Sequence, residues 1–154
     1  MAQLTGGDPA PPFRLTDQDG TTVNLGDLAG RRFVLYFYPR DDTPGCTIEA
    51  TQFTGFADAF DKLGVTVIGV SPDDAASHRR FRERHGLRVR LLSDPDHEAM
   101  AAYGAWGEKT RYGRTSVGVI RSTFVIGPDA RIERAWYNVR AAGHASRVLE
   151  AIGG

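Results

Sequence analysis

Two short apolar segments place the strongest constraint on how this chain can fold. Residues 33–38 and 65–70 are almost entirely aliphatic, aromatic or β-branched. Runs of this kind are typical of central strands in a parallel sheet, which are covered on both faces. The segment 44–63 between them carries apolar residues at nearly helical spacing, namely Ile48, Phe53, Phe56, Phe60 and Leu63. The stretch therefore predicts a β-α-β crossover whose helix starts at the carboxyl end of a central strand, where open sheets place their functional sites.

The remaining segments extend this unit to an α/β fold with a mixed central sheet flanked by helices. Strands are expected at 13–15, 22–25, 122–126 and 132–139, with turn-forming residues at 17–20 and 127–129. Weaker helical patterns cover 74–85, 96–103 and 143–152. Since 154 residues suit one hydrophobic core, we expect a single domain over 1–154.

The charge balance and the cysteine content limit the partners of the chain. Basic and acidic residues are equal in number, 19 each, so no net charge favours nucleic acid or an anionic membrane. No apolar stretch approaches the ~20 residues of a membrane span, and no basic region followed by an apolar run opens the sequence. The single cysteine, Cys46, excludes an internal disulfide. We expect a soluble cytoplasmic protein with no nucleic-acid or membrane partner.

The surroundings of Cys46 make it the candidate functional residue. Thr43 and Pro44 are typical of a helix start, a capping residue followed by proline at the first helical position. Cys46 then lies in the first turn, where unpaired backbone N–H groups and the helix dipole stabilise an anion. The position favours the thiolate, which is the reactive form of cysteine. The alternative is a small buried hydrophobic residue, as many free cysteines are.

The segment around Cys46 resembles the active-site motif of peroxiredoxins, in which Pro39, Thr43 and Cys46 stand at the characteristic spacing. The longer segment 36–49 is similar to the bacterioferritin-comigratory, or peroxiredoxin Q, branch of that family. Further similar segments follow the same order and cover nearly the whole chain, at 17–20, 91–94, 104–109 and 121–126. The resemblance implies a thioredoxin-like fold and the reduction of hydrogen peroxide and of organic (alkyl) hydroperoxides.

The resemblance also implies roles for individual residues. Cys46 corresponds to the peroxidatic cysteine, and Thr43 to the hydroxyl that hydrogen-bonds the thiolate and the peroxide. Pro39 corresponds to the residue that shields the pocket. Arg121 corresponds to the arginine that orients thiolate and peroxide, and Glu49 to the acidic residue that holds this arginine in place.

Spacing supports only part of this assignment. Thr43 and Cys46 are three residues apart and share a face of the first helical turn, with Glu49 one turn further on. Arg121 is distant, and without the resemblance it would be interpreted as a solvated arginine, one of 17 in the chain. The backbone N–H groups near Gly45 and Cys46 are further donors for charge that develops on a leaving oxygen.

The chain departs from this branch in its resolving residue. Many members carry a second cysteine five residues after the first, a position that Thr51 occupies here. We therefore expect a one-cysteine mechanism in which an external thiol completes the cycle: a small thiol, a thioredoxin or a glutaredoxin-type protein. A disulfide between the Cys46 residues of two subunits stays open, although a monomer is expected.

Two other functions remain open at this stage. The first is a peroxide sensor or thiol-exchange protein, in which oxidised Cys46 passes its state to another protein. The second is a binding domain in which Cys46 is unreactive. Turnover with a reductant distinguishes a peroxidase from both.

Weaker signals favour ordinary structure. The basic run 78–85 is interpreted as a solvated helix face rather than a nucleic-acid patch. His78 and His85 lack a third ligand at metal-site spacing, and no phosphate-binding motif follows a strand, so no metal or other cofactor is expected. Trp106 and Tyr112 lie in a predicted Gly-rich loop, where lining the pocket and packing in the core are equal alternatives.

Overall fold

The predicted β-α-β crossover forms the centre of the structure, a computed structural model that describes residues 3–153. Over this range the strands are β1 (Arg14–Asp17), β2 (Thr22–Asn24), β3 (Arg32–Phe37), β4 (Val65–Ser71), β5 (Arg90–Ser93), β6 (Trp106–Arg111), β7 (Arg114–Val119), β8 (Ser122–Ile126) and β9 (Ile132–Trp136). The helices are α1 (Pro44–Gly55), α2 (Ala57–Lys62), α3 (Ala75–His85), α4 (Glu98–Ala102) and α5 (His144–Ile152). A short 3-10 helix covers Leu25–Leu28.

Seven of these strands form one mixed sheet in the order β2-β1-β5-β4-β3-β8-β9. The central strands β3, β4 and β5 are parallel, while β1 and β8 join them antiparallel. The apolar runs of β3 and β4 lie side by side, with Phe37 opposite Val70 at their carboxyl ends. The arrangement confirms the expected α/β fold with a mixed sheet between helices.

Successive residues of β3 contribute to two cores, one on each face of the sheet. Phe33, Leu35 and Phe37 belong to the first core, and Val34 and Tyr36 to the second. The second core contains Phe53 and Phe60 of the helical segment, together with Cys46.

The ring of Tyr36 connects β3 to α1. It stacks on Phe53 with ring centroids 4.8 Å apart. It also lies across Gly69 of β4, where a Cβ atom would come within 2.7 Å of the ring. Any side chain at position 69 would collide with the ring of Tyr36. Gly69 therefore allows Tyr36 to stack on Phe53, which packs α1 against the sheet.

The prediction of one helix over 44–63 is wrong, since two helices meet at Phe56. A continuous helix of that length would be roughly 30 Å long, much longer than the strands it must cross. Gly55 at the break has a low helix propensity. The predicted apolar face is also only partly buried: Phe53 and Phe60 are enclosed, whereas Ile48 is 43% exposed.

Other expected elements are confirmed with shifts of one to three residues at their ends. The helix predicted at 74–85 begins after Asp74, whose side chain accepts a hydrogen bond from the Ser77 N–H, and ends at Gly86 with φ +60°. The turn at 17–20 joins β1 to β2. Three features had no prediction: the short 3-10 helix, β5, and the antiparallel ribbon of β6 and β7, which replaces the expected Gly-rich loop.

The helices of residues 3–153 include none that is both long and apolar enough to cross a membrane.

Candidate active site

Cys46 is the third residue of α1, close behind the carboxyl end of β3. Thr43 occupies the N-cap position with extended backbone, and Pro44 follows as the first helical residue. The first helical hydrogen bond runs from the Thr47 N–H to the Thr43 carbonyl at 2.9 Å. The N–H groups of Gly45 and Cys46 precede this bond and face the helix end, which makes them donors for an anion.

A guanidinium group contacts the sulfur of Cys46. Arg121, in the connection between β7 and β8, donates from Nη2 to Sγ at 3.3 Å. It donates from Nη1 to Oε1 of Glu49 at 2.6 Å. The planar fork of arginine suits this double role, since its two nitrogens can serve two acceptors at once. The structure thus brings together three of the predicted site residues that the sequence separates by up to 75 positions.

Burial controls the electrostatics of this triad. The carboxyl group of Glu49 is inaccessible to solvent, and burial raises its pKa to about 7 although the neighbouring Arg121 acts in the opposite direction. Burial lowers the pKa of Arg121, but the charges of Glu49 and Cys46 outweigh this, so its pKa lies above the usual value. Arg121 therefore stays a cation beside the sulfur.

Cys46 combines features of a reactive thiol with those of a buried core residue. Its residue surface is only 1% exposed and it packs in the second core. The same sulfur accepts a hydrogen bond from a cation, which an inert core cysteine does not need.

A pocket lies next to Arg121 and to Gly45, the residue that precedes Cys46. Its walls are formed by Pro39, Gly45, Lys109, Arg121, Asn138, Val139 and Ala141. A Cβ atom at Gly45 would lie 3.3 Å from Nη2 of Arg121, so the small residue allows the guanidinium to lie close to the helix start. The Val139 N–H donates to the Arg121 carbonyl at 3.1 Å, which ties this wall to the arginine.

Thr43 and Pro39 lie at the site in different ways. Pro39 lines the pocket. The Thr43 hydroxyl donates to the Arg40 carbonyl at 2.8 Å. Its proton is therefore directed at the loop, while its oxygen lone pairs remain acceptors for a hydroxyl or hydroperoxide proton.

The aromatic residues of the 104–112 segment do not line this pocket. Trp106 packs against the first core and stacks on His97 with centroids 3.8 Å apart. Tyr112 is 94% exposed, where β6 turns into β7. Core packing is the correct interpretation for Trp106, and neither alternative fits Tyr112.

Sequence reasoning missed a second polar cluster next to the site. Asp41, in the loop that carries Thr43, is hydrogen-bonded to buried His78 of α3, with Oδ2 and Nδ1 2.7 Å apart. His85 pairs with Asp42 in the same loop. The expectation of a solvated helix face over 78–85 is wrong at His78, which is buried, and neither histidine was expected to pair with an aspartate. Within 3–153, no group of three or more His, Cys, Asp or Glu side chains is arranged to hold a metal ion.

A cysteine at a helix start, contacted by a partly buried arginine on a thioredoxin-like sheet, defines a thiol-based redox protein. The chain belongs to the AhpC/TSA family, whose pattern matches residues 6–135. Peroxiredoxin Bcp of Escherichia coli K12 is 42% identical over 149 residues, which covers 97% of this chain and 96% of the relative.

Solved structures give the same result. The Xanthomonas campestris bacterioferritin comigratory protein, studied for its alkyl peroxide reduction activity, superposes with a TM-score of 0.86 at 39% identity, over 91% of this chain and 89% of its own. A cysteine-to-serine mutant of Xylella fastidiosa PrxQ gives a TM-score of 0.90 at 36% identity, over 99% of this chain and 96% of its own. The resemblance to the peroxiredoxin Q branch is thereby confirmed.

Proposed function

We propose that this chain is a thiol-dependent peroxidase that reduces hydrogen peroxide and organic hydroperoxides through Cys46. The observation that carries the proposal is the contact of 3.3 Å between Nη2 of Arg121 and Sγ of Cys46. It places a fixed cation beside a nucleophile that shares its site with the N–H groups of Gly45 and Cys46. Membership of the AhpC/TSA family and the similarity to peroxiredoxin Bcp support the same activity.

The oxidative step is an in-line displacement at oxygen. The Cys46 thiolate attacks one oxygen of ROOH, the S–O bond forms, and the O–O bond breaks. The electron pair of the O–O bond leaves with RO⁻, which takes up a proton to give water or an alcohol. Cys46 is oxidised to a sulfenic acid and the peroxide is reduced by two electrons.

Thiolate formation alone cannot make such a step fast. A thiol of pKa ~8.5 is already a few per cent ionised at pH 7, so complete ionisation gains at most roughly 30-fold. A more acidic thiol is also a poorer nucleophile, which removes roughly tenfold of that gain over about 2.5 pKa units if the Brønsted slope of disulfide exchange applies. The larger contribution must come from preorganised donors at the oxygen that gains charge. Arg121 and the N–H groups of Gly45 and Cys46 are suited to that role. The hydroxyl oxygen of Thr43 can accept a hydrogen bond from the O–H of the hydroperoxide.

The reductive steps require a partner. Cys46 is the only cysteine in the sequence, so we propose that an external thiol R′SH attacks the sulfenic sulfur, releases water and forms a mixed disulfide. A second thiol then displaces Cys46 as a thiol and leaves R′SSR′. A reducing compartment suits this cycle because the external thiol must be regenerated. We further propose that residues 1–154 act as one domain and as a monomer.

Steady-state turnover tests the proposal against a one-time sensor. Reduced protein is mixed with excess cumene hydroperoxide and dithiothreitol, and loss of hydroperoxide is followed, with Cys46→Ser as the matched control. The proposal predicts many equivalents of hydroperoxide consumed per chain and none above background with the control. Consumption that stops at one equivalent while dithiothreitol remains would reject the peroxidase and favour the sensor.

A further inference from the structure

We propose that Asp41 and His78 are positioning residues of the peroxidatic site, which act through the loop that leads into α1. The inference rests on the proposed function, since it concerns how fast Cys46 meets peroxide. Neither residue is among those that line the pocket or contact Cys46. Their effect would reach the sulfur only through the backbone that they hold.

His78 is completely buried and both of its ring nitrogens face oxygen atoms. Nδ1 lies 2.7 Å from Oδ2 of Asp41, and Nε2 lies 3.0 Å from the Leu92 carbonyl of β5. A backbone carbonyl can only accept, so Nε2 must carry a proton. The geometry therefore fixes the orientation of the ring between α3 and the sheet.

The carboxyl group of Asp41 has three side-chain partners. Besides His78, it accepts from the Tyr38 hydroxyl at 2.6 Å and from the Ser77 hydroxyl at 2.8 Å. Three polar side chains thus hold the Asp41 carboxyl group at hydrogen-bond distance. A buried, fully hydrogen-bonded pair of this kind holds its elements in one arrangement.

The same loop is held at two further points. The Asp41 N–H donates to Oδ2 of Asp73, after β4, at 2.7 Å. Asp42 has φ +61°, a left-handed conformation that aspartate adopts more readily than most other residues. Its carboxyl group binds His85 at 2.7 Å and Arg84 at 3.1 Å. Helix α3 thus contacts both Asp41 and Asp42.

The loop matters because the reacting groups follow it directly. Thr43 is two residues beyond Asp41, and Gly45 and Cys46 begin the helix that the loop positions. A displacement of about 1 Å of a reacting group can cost about 100-fold in rate. Cys46 is only 1% exposed, so a bulky reagent can reach its sulfur only when the surrounding structure opens. A loosened loop should therefore slow the attack on peroxide and at the same time admit bulky reagents to the sulfur.

These opposite effects provide the test. The rate of Cys46 thiol loss to hydrogen peroxide, and the rate of its alkylation by a polyethylene-glycol maleimide, are measured for the wild type, Asp41→Asn, His78→Gln and Ser77→Ala. Met100→Ala, a fully buried residue of the other core, is the control for general loss of stability. Near-UV circular dichroism verifies the fold of each variant.

We expect Asp41→Asn and His78→Gln to lower the peroxide rate about tenfold or more and to raise the alkylation rate several-fold. Ser77→Ala removes one of the three side-chain partners of Asp41. We expect it to lower the peroxide rate and raise the alkylation rate by about two- to fivefold. Met100→Ala should leave the ratio of the two rates within about twofold of the wild type.

A peroxide rate within twofold of the wild type in folded Asp41→Asn and His78→Gln would overturn the inference. Should neither fold, an unchanged ratio of rates in Ser77→Ala would overturn it, and a shifted ratio would support it. An equal shift in Met100→Ala would also overturn it, since stability alone would then explain the result. A wild-type rate no faster than that of free cysteine would instead reject the proposed function itself.

Discussion

Arg121 has two acceptors, and its shape allows it to serve both. One nitrogen of the fork contacts the Cys46 sulfur and another contacts the Glu49 carboxylate. A lysine ammonium at the same place would keep the charge but lose the fixed fork. The guanidinium is thus held in place by Glu49 in the absence of any peroxide, which is the preorganisation that the proposed reaction needs.

Replacing the guanidinium tests this role. We expect Arg121→Lys to lower the rate of Cys46 oxidation by hydrogen peroxide about 100- to 1000-fold, the usual effect of removing one donor to a developing charge. Stopped-flow measurement of thiol loss gives the rate, and thermal unfolding verifies the fold. A folded variant within threefold of the wild-type rate would show that the fixed fork of the guanidinium is not required for the reaction.

Glu49 should make the stability of the protein depend on pH. Burial raises its pKa from 4.5 to about 7 in the folded state, so between these values the folded protein binds more protons than the unfolded chain. Protonated Glu49 therefore contributes to the free energy of unfolding. This contribution is fully present below pH 4.5 and is lost as the pH rises through 7. The shift corresponds to at most about 3 kcal/mol.

The variant Glu49→Gln should remove this dependence. We expect the free energy of unfolding of the wild type to fall relative to that of Glu49→Gln between pH 5 and pH 8. Urea unfolding at four or five pH values measures this difference in the free energy of unfolding. The contributions of other titrating groups are the same in both proteins and cancel. A constant difference over this range would show that Glu49 is ionised throughout.

At the scale of elements, the start of α1 depends on close contact with Arg121. The backbone at Gly45 leaves 3.3 Å between a Cβ atom and Nη2 of the arginine, which is too short for an undisturbed contact. We expect Gly45→Ala to push the guanidinium outward and to slow oxidation of Cys46 about tenfold or more. Since alanine favours a helix over glycine, thermal stability should be unchanged or slightly higher.

Gly55→Ala is the matched control for Gly45→Ala. Gly55 ends the same helix, and a Cβ atom there meets no heavy atom within 4 Å. The control should leave the oxidation rate unchanged. Equal rates in both variants would mean that Gly45 is not required for the position of the arginine.

The longer buried strands could be predicted, whereas the short buried strand β5 was missed. The strands β3, β4 and β8 are buried along most of their length, and such strands leave continuous apolar runs in the sequence. The ribbon of β6 and β7 could not be found in this way. The described residues of β7 are mostly exposed, so no apolar periodicity marks the strand.

The site could be predicted in part for a related reason. We could predict Thr43, Gly45 and Cys46 as site residues because the capping residue and the proline at a helix start are local signals in the sequence. Arg121 and Glu49 came only from the resemblance, since a contact across 72 positions has no local signature. The pair of Asp41 and His78 was missed because a loop, a helix and the Leu92 carbonyl of another strand form it together.

At the scale of the whole molecule, the sheet and the helices α1 and α3 together position Cys46. Strand β3 leads into the loop that carries Asp41, Cys46 lies in the first turn of α1, and α3 holds the loop. The turn into β8 supplies Arg121 from the other side. The chain therefore has the parts for peroxide reduction in one unit, except for the thiol that must complete the cycle.

The most direct test of this account is the single-turnover rate at which Cys46 loses its thiol to one equivalent of hydrogen peroxide, with free cysteine measured alongside. The intact mass is determined at the end of the reaction. The account predicts a rate orders of magnitude above that of free cysteine and the mass of one added oxygen. A rate equal to that of free cysteine would mean that the arrangement around Cys46 lacks the proposed chemistry.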